Sequence, residues 1–153
     1  MAYREHIKRE FDSKVVEVRR VTRVVAGGKR MRFRALVVVG DRKGRVGMGL
    51  KKGVDVADAI GKATNAANKS MIEVPIKDGT IPHIINFKYK AAKILLKPAR
   101  PGTGIIAGGP LRAVLTLSGI RNITSKMLGS SNKVSNVRAV YLALQQFNRG
   151  GRN

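Results

Sequence analysis

The sequence predicts an α+β protein of two small two-layer domains, and three observations lead there. Residues 31–39 alternate between apolar and other side chains, then a turn and a second extended run follow, which is the pattern of a β-hairpin. Residues 55–71 carry apolar side chains at steps of three and four, which is one buried helix face. Asp78 is the last acid of the chain, and the composition changes where two prolines also interrupt the pattern. The expected division is a loose tail at 1–10, a first domain at 11–75, a linker at 76–81, a second domain at 82–147 and a free tail at 148–153.

In the first domain, residues 14–25 are rich in Val and Arg, with Val16, Val18 and Arg20 alternating against Val15, Glu17 and Arg19. Ala26-Gly27-Gly28-Lys29-Arg30 breaks that strand. Met31, Phe33, Ala35, Val37 and Val39 then share one strand face, and on the other Arg32 and Arg34 give way to Leu36 and Val38. Gly40-Asp41-Arg42-Lys43-Gly44 is a turn, and residues 45–50 form the returning strand. Asp55 is a suitable helix N-cap, Asp58 favours the dipole of the first turn, and Val56, Ile60, Ala63, Ala67 and Met71 form the buried stripe. The order is strand–strand–strand–helix.

The second domain reads strand–strand–helix–strand–helix. Residues 84–89 and 92–97 are the first two strands, and residues 98–109 are a long Gly/Pro loop. Residues 110–118 form a short helix with Pro in its first turn and Gly119 just past its end. Residues 123–128 are a strand or an irregular link, and residues 132–147 a helix whose apolar face is Val137, Val140, Tyr141, Leu144 and Phe147.

Composition narrows the function. The chain has 153 residues, 31 of them Lys or Arg and 9 Asp or Glu, for a net charge of +22, and 43% of it is hydrophobic, so it can bury a core. All nine acids lie within residues 1–78; from Gly79 onward there are twelve Lys and Arg and no carboxylate. A domain without carboxylates has no general acid or base of that type and no hard-metal ligand, and its cations need an external polyanion such as nucleic acid. There is no Cys for disulfides or thiol chemistry. No apolar run reaches the ~18 residues of a membrane span, and the first ten residues lack the apolar core of a secretory signal, so the expected location is cytoplasmic.

Several motifs have competing readings. Gly102-Thr103-Gly104-Ile105-Ile106-Ala107 matches a dinucleotide fingerprint, but Gly108-Gly109-Pro110 interrupts the required helix, and no acid follows about twenty residues later. Two readings remain for Gly102, Thr103, Gly104, Gly108 and Gly109: a tight packing loop, or a loop whose amides receive a phosphate oxygen. Lys29 and Arg30, with Arg19, Arg20, Arg23, Arg32 and Arg34, make a dense basic loop that suits an RNA backbone better than a solvated turn. Arg42, Lys43 and Arg45 in the hairpin turn, with Lys51 and Lys52 before the helix, are placed on one edge of the sheet, as in a module that spans the grooves of double-stranded RNA. His6 and His83 lack partners at ligand spacing, and Ser118, Ser125, Ser130 and Ser131 lack an activating His and acid, so no catalytic residue, metal or cofactor is expected. Four Phe, three Tyr and no Trp give little for base stacking.

The chain also resembles the small-subunit ribosomal protein S-five family in its bacterial form. The resemblance rests on Ala26-Gly27-Gly28, Arg32-Phe33-Arg34-Ala35-Leu36-Val37-Val38-Val39-Gly40-Asp41, Gly44-Arg45-Val46-Gly47, Asp78-Gly79-Thr80-Ile81-Pro82-His83, Lys97-Pro98-Ala99 and the glycine loop, and it covers roughly residues 11–147. It implies an N-terminal domain like a double-stranded-RNA-binding domain (β-β-β-α) and a C-terminal α/β domain (β-β-α-β-α) with a left-handed crossover. It implies binding to 16S rRNA, contact with small-subunit proteins four and eight, a place at the back of the subunit between body and head near the mRNA entrance, and an influence on translational accuracy through protein four. The loop of Thr22, Arg23, Val24, Ala26, Gly27 and Gly28 would reach toward the neck, close to the spectinomycin site. Leu50-Lys51-Lys52-Gly53 departs from the aromatic or Gly-rich lead that is common there. Small-molecule kinases share the C-terminal topology, but this domain lacks the acids they use.

The leading reading is therefore a structural rRNA-binding subunit with no small-molecule substrate and no membrane, its contacts completed by Arg100 and Arg112 beside the glycine loop. A free-standing double-stranded RNA-binding protein and a phosphate-handling enzyme are the alternatives.

Overall fold

A computed structural model describes residues 11–150, excluding the side chains of Arg23 and residues 148–150. The expected tail at 1–10, and residues 151–153 of the tail expected at 148–153, lie outside the described residues. The first sheet has the order β1 (Asp12–Val25), β2 (Gly28–Gly40), β3 (Arg45–Gly53), β4 (Ile72–Glu73), all antiparallel. Helix α1 (Val56–Lys69) lies between β3 and β4 in the chain. The second sheet has the order β5 (Ile85–Tyr89), β6 (Ala92–Pro98), β8 (Ile123–Met127), β7 (Ile105–Ile106), with β7 parallel to β8 and α2 (Gly109–Ser118) crossing between them. Helix α3 (Lys133–Gly150) closes the fold.

The expected elements are present, with four differences. The first strand resumes after only Ala26 and Gly27, because Gly28 takes φ 136° and already pairs with Val25. The two-residue strands β4 and β7 are too short to leave a periodic signal; β7 lies inside the expected Gly/Pro loop. Helix α3 runs to Gly150, so residues 148–150 continue the helix rather than the expected free tail, since nothing there breaks it before Gly150. Val56 is exposed rather than buried, and Ala59 takes its place in the stripe.

That last difference has a physical cause. Gly47, Gly49 and Gly53 of β3 face α1, and a Cβ at any of them would overlap α1 backbone at Ala67, Ala63 or Ala59. The helix backbone thus lies almost on the strand, and only Ala fits between them, at steps of four. Asp55 caps α1 by accepting from Asp58 N–H at 2.7 Å, and Asp58 in turn accepts from Val54 N–H at 3.1 Å. That backbone bond first, and then Lys62, hold the Asp58 carboxyl below the ordinary aspartate range.

Around residues 35–39 both faces of the first sheet are covered, which explains the unbroken apolar run there. Ala35, Val37 and Val39 pack on α1 with Phe33 and Ile60. Leu36, Val38, Val46 and Met48 belong to one core with Leu111, Val114, Leu115, Val140 and Leu144 of α2 and α3. Helices α2 and α3 therefore lie between the two sheets, and the layers run α1, first sheet, α2 with α3, second sheet. The segment before β5 is held as well: Ile81 is buried, Lys77 bridges Thr80, and Gly79 C=O accepts from both Arg121 and Asn122 N–H.

The β2–β3 turn fixes the seam. Arg42 N–H donates to Leu117 C=O at 3.0 Å and Gly44 N–H to Ser118 C=O at 2.8 Å, at the end of α2. Gly119 caps that helix in the left-handed region at φ 95°, and a Cβ there would overlap the Arg42 carbonyl. Tyr141 OH of α3 donates to Ser70 C=O at 2.6 Å, just past the end of α1.

Candidate nucleic-acid interface

The register of β1 and β2 sorts the arginines. Arg19 lies opposite Arg34, Val21 opposite Arg32, and Arg34 opposite Lys52 of β3. Opposed residues point to the same side, so Arg19, Arg34 and Lys52 form one cross-strand row, with Arg32 two residues further along. This is the sheet face that carries Leu36 and Val38 nearer the core. The alternation that buries Leu36 and Val38 thus continues outward as a stripe of cations, where neither α1 nor α2 covers the hairpin. Like charges directly opposite each other are unfavourable. Glu17, whose side chain is nine-tenths buried at a register shift in β1, forms an ion pair with Arg19 and offsets part of this. Arg30, Arg32 and Lys52 line a cleft of about 330 Å³ together with Val21, Thr22 and Val25.

Arg20, Lys29 and Lys51 fall on the opposite face by the same register, beside Phe33, Val24 and Ala35. Arg23 pairs with Arg30 through the backbone, and its side chain is outside the described part. Of the neck-loop residues, Thr22, Val24, Ala26, Gly27 and Gly28 are all exposed at the hairpin end.

The turn Arg42-Lys43-Gly44-Arg45 does not share an edge with Lys51 and Lys52, which corrects the expected grouping. Strand β3 separates them: from Arg45 to Lys52 is seven steps, or about 23 Å at ~3.3 Å per residue. The turn belongs to a second basic region at the seam. There Lys14, Arg42 and Arg112 line a cleft of about 480 Å³ with Asp12, Ser13 and Thr116. Arg42 Nε donates to Asp12 Oδ2 at 2.8 Å, and the Arg45 guanidinium lies 5.3 Å from the centre of the Phe11 ring. Lys43 is exposed, while its backbone N–H donates to Asp41 Oδ1.

In the glycine loop, Gly102 and Gly104 N–H both donate to Asn122 Oδ1, at 3.1 and 3.0 Å, and Thr103 N–H donates to Arg100 C=O. Those three amides are already used within the chain, which favours the packing reading for this half of the loop. Gly108 is the N-cap of α2 and offers no side-chain cap. Asn122, buried at the start of β8, is the residue that sequence reasoning missed. A lone Asn between a helix and a strand carries no spacing signal, and only the fold brings it to residues twenty positions earlier. Replacing Asn122 by Ala leaves two partly buried donors without an acceptor. We expect a loss of about 1–3 kcal/mol, read as a lower thermal midpoint together with faster proteolysis at residues 100–104. An unchanged midpoint would show that the clamp is dispensable.

His83, Ser118 and Ser125, three of the groups considered for catalysis, have structural partners. His83 packs edge-on against Phe147 at 4.9 Å between ring centroids. Ser118 Oγ donates to Leu115 C=O and Ser125 Oγ to Ile106 C=O. Among the described residues no group of three or more His, Asp or Glu converges as a metal site, and no helix is long and apolar enough to cross a membrane.

These features define a class: a strongly basic two-domain α+β protein whose cations are ranked on exposed strands. Comparison with known families then names it. Residues 11–75 match Ribosomal protein S5, N-terminal domain, and residues 87–149 match Ribosomal protein S5, C-terminal domain. The chain belongs to the ribosomal protein S5 family, and so to the structural, rRNA-binding constituents of the small ribosomal subunit that act in translation.

Proposed function

We propose that this chain binds 16S rRNA through the hairpin face of Arg19, Arg32, Arg34 and Lys52, and holds the head of the small subunit relative to its body. The observation that carries this is the cross-strand row Arg19–Arg34–Lys52, which stands beyond the helices that cover the rest of the sheet. A row across three paired strands, with cations at about 4.8 Å strand spacing, positions phosphates without reading bases. In this reading Arg20, Arg23, Lys29, Arg30 and Lys51 extend the contact around the hairpin. Arg42, Lys43, Arg45 and Arg112 form a second contact at the seam, and Arg100 with Gly108 and Gly109 a third. The residues of the hairpin end reach toward the neck, near the mRNA entrance. Small-subunit proteins four and eight are the protein neighbours, the contact with protein four bears on translational accuracy, and the chain works in the cytoplasm, dividing into domains at 76–81.

Sucrose-gradient sedimentation of a lysate tests the assembly. A tagged wild-type chain is expected with the small subunits, and cross-linking of that fraction should recover proteins four and eight. A chain found at the top of the gradient, or binding a generic RNA duplex as tightly as 16S rRNA, would favour a free-standing RNA-binding protein instead.

A further inference from the structure

The second sheet has an inner and an outer face. Ile85 and Phe87 of β5, Ile94 and Leu96 of β6 and Ile123 of β8 turn inward to the core shared with α2 and α3. The alternate residues turn outward. Lys88 lies opposite Lys93, Leu95 lies between Asn86 and Lys126, and Lys97 lies opposite Thr124. Lys88, Lys93, Lys97 and Lys126 are all exposed. Leu128 N–H donates to Lys93 C=O at 2.7 Å, so the outer row continues past the end of β8.

We propose that this outer face is a further phosphate-contact surface, one for duplex RNA, formed by Lys88, Lys93, Lys97 and Lys126; it rests on the reading that the chain binds rRNA. Ordinary solvated faces intersperse charges of both signs. Here there is no acid to intersperse, because the chain has none from Gly79 to Asn153. Lys88 directly opposite Lys93 costs stability in the free protein, and a bound polyanion removes that cost. The dimensions fit a backbone contact. Three strands span about 10 Å, and Lys93 to Lys97 along β6 is about 13 Å, so the four ammonium groups sit on a rigid patch. Each is a compact charge on a flexible stem, suited to phosphate rather than to the fork geometry of base edges. Phe87 and Tyr89 are committed to the inner core, so the face offers no aromatic on which unpaired bases could stack, and the occupant is a folded duplex read by its charge.

The test uses the full chain with Lys88, Lys93, Lys97 and Lys126 all changed to Gln, beside the wild type and an R32E/R34E variant. Affinity for 16S rRNA is measured from 50 to 200 mM KCl. Each lost phosphate contact flattens the log–log salt slope by ~0.7–0.9, so the quadruple variant is expected to lose roughly three units of slope and bind more weakly. Its melting temperature without RNA should hold or rise as the Lys88–Lys93 repulsion disappears. An unchanged slope with a changed R32E/R34E slope overturns this inference and leaves the hairpin reading standing. If neither variant changes the slope, both fall. If the quadruple variant keeps wild-type affinity and slope but is lost from assembled subunits, the face receives a protein, and the inference is likewise overturned.

Discussion

Replacing Arg32 and Arg34 by Glu is expected to abolish tight binding to 16S rRNA while leaving the free protein as stable as the wild type or more so. The two effects have opposite signs for one reason. In the free chain Arg34 lies between Arg19 and Lys52 in a single cross-strand row. A carboxylate at position 34 turns two repulsive pairs into two attractive ones, and cross-strand charge pairs of this kind contribute about 0.2–1 kcal/mol each. For a chain of this size a gain of ~1 kcal/mol raises the melting temperature by roughly 2–4 °C. Against phosphate the same change removes two charge-assisted contacts, worth about 1.5–3 kcal/mol apiece, and adds repulsion. Affinity should fall by at least two orders of magnitude, and the salt slope should flatten by about two. Circular dichroism, thermal melting and a salt-dependent binding titration on one preparation measure all three quantities. Loss of the folded signal would make Arg34 a structural residue; retained affinity would move the RNA surface elsewhere on the molecule.

How far the sequence could be read depended on whether a feature was local. The two-residue spacing that sets Ala35, Val37 and Val39 on one side and Leu36 and Val38 on the other, the Asp55 cap and the Pro110 and Gly119 punctuation are statements about neighbours in the chain, and each reappears in the structure. The same spacing already separated Arg32 and Arg34 from Phe33 and Ala35, so the basic face of the hairpin was legible before any register was known. The grouping of Arg42–Arg45 with Lys51 and Lys52 failed because proximity in sequence says nothing about which end of a strand a residue occupies. The Asn122 clamp was invisible because its partners, Gly102 and Gly104, come to it only when β7 and β8 pair in parallel around α2. The second apolar face of β2 was visible as Leu36 and Val38, but what covers it is the other domain, and no local pattern encodes that docking.

Gly49→Val is expected to be among the most costly single changes in the first domain. Gly49 faces α1 from the middle of β3, and its nearest neighbours on that side are the Ala63 carbonyl and the Ala67 amide nitrogen. An overpacked core side chain is usually relieved by a shift of rotamers, at about 1–3 kcal/mol. Here the obstructing atoms are backbone, so relief requires α1 to move as a unit. Moving it separates Ala59, Ala63 and Ala67 from Ala35, Val37 and Val39, the whole small core on that side of the sheet. The expected loss is about 3 kcal/mol or more, at the top of the overpacking range, seen as a lower midpoint in urea. Gly61 provides the control in the same helix. It lies in the interior of α1 with nothing within 4 Å of an added Cβ, so Gly61→Ala is expected to stabilise by about 0.5–1 kcal/mol. One helix should thus respond in opposite directions to two added side chains, because one glycine marks a contact between backbones and the other an open helix surface. A Gly49→Val chain that unfolds at the wild-type urea concentration would mean that α1 is not held by this approach. The alanine stripe would then have to be explained by helix propensity alone.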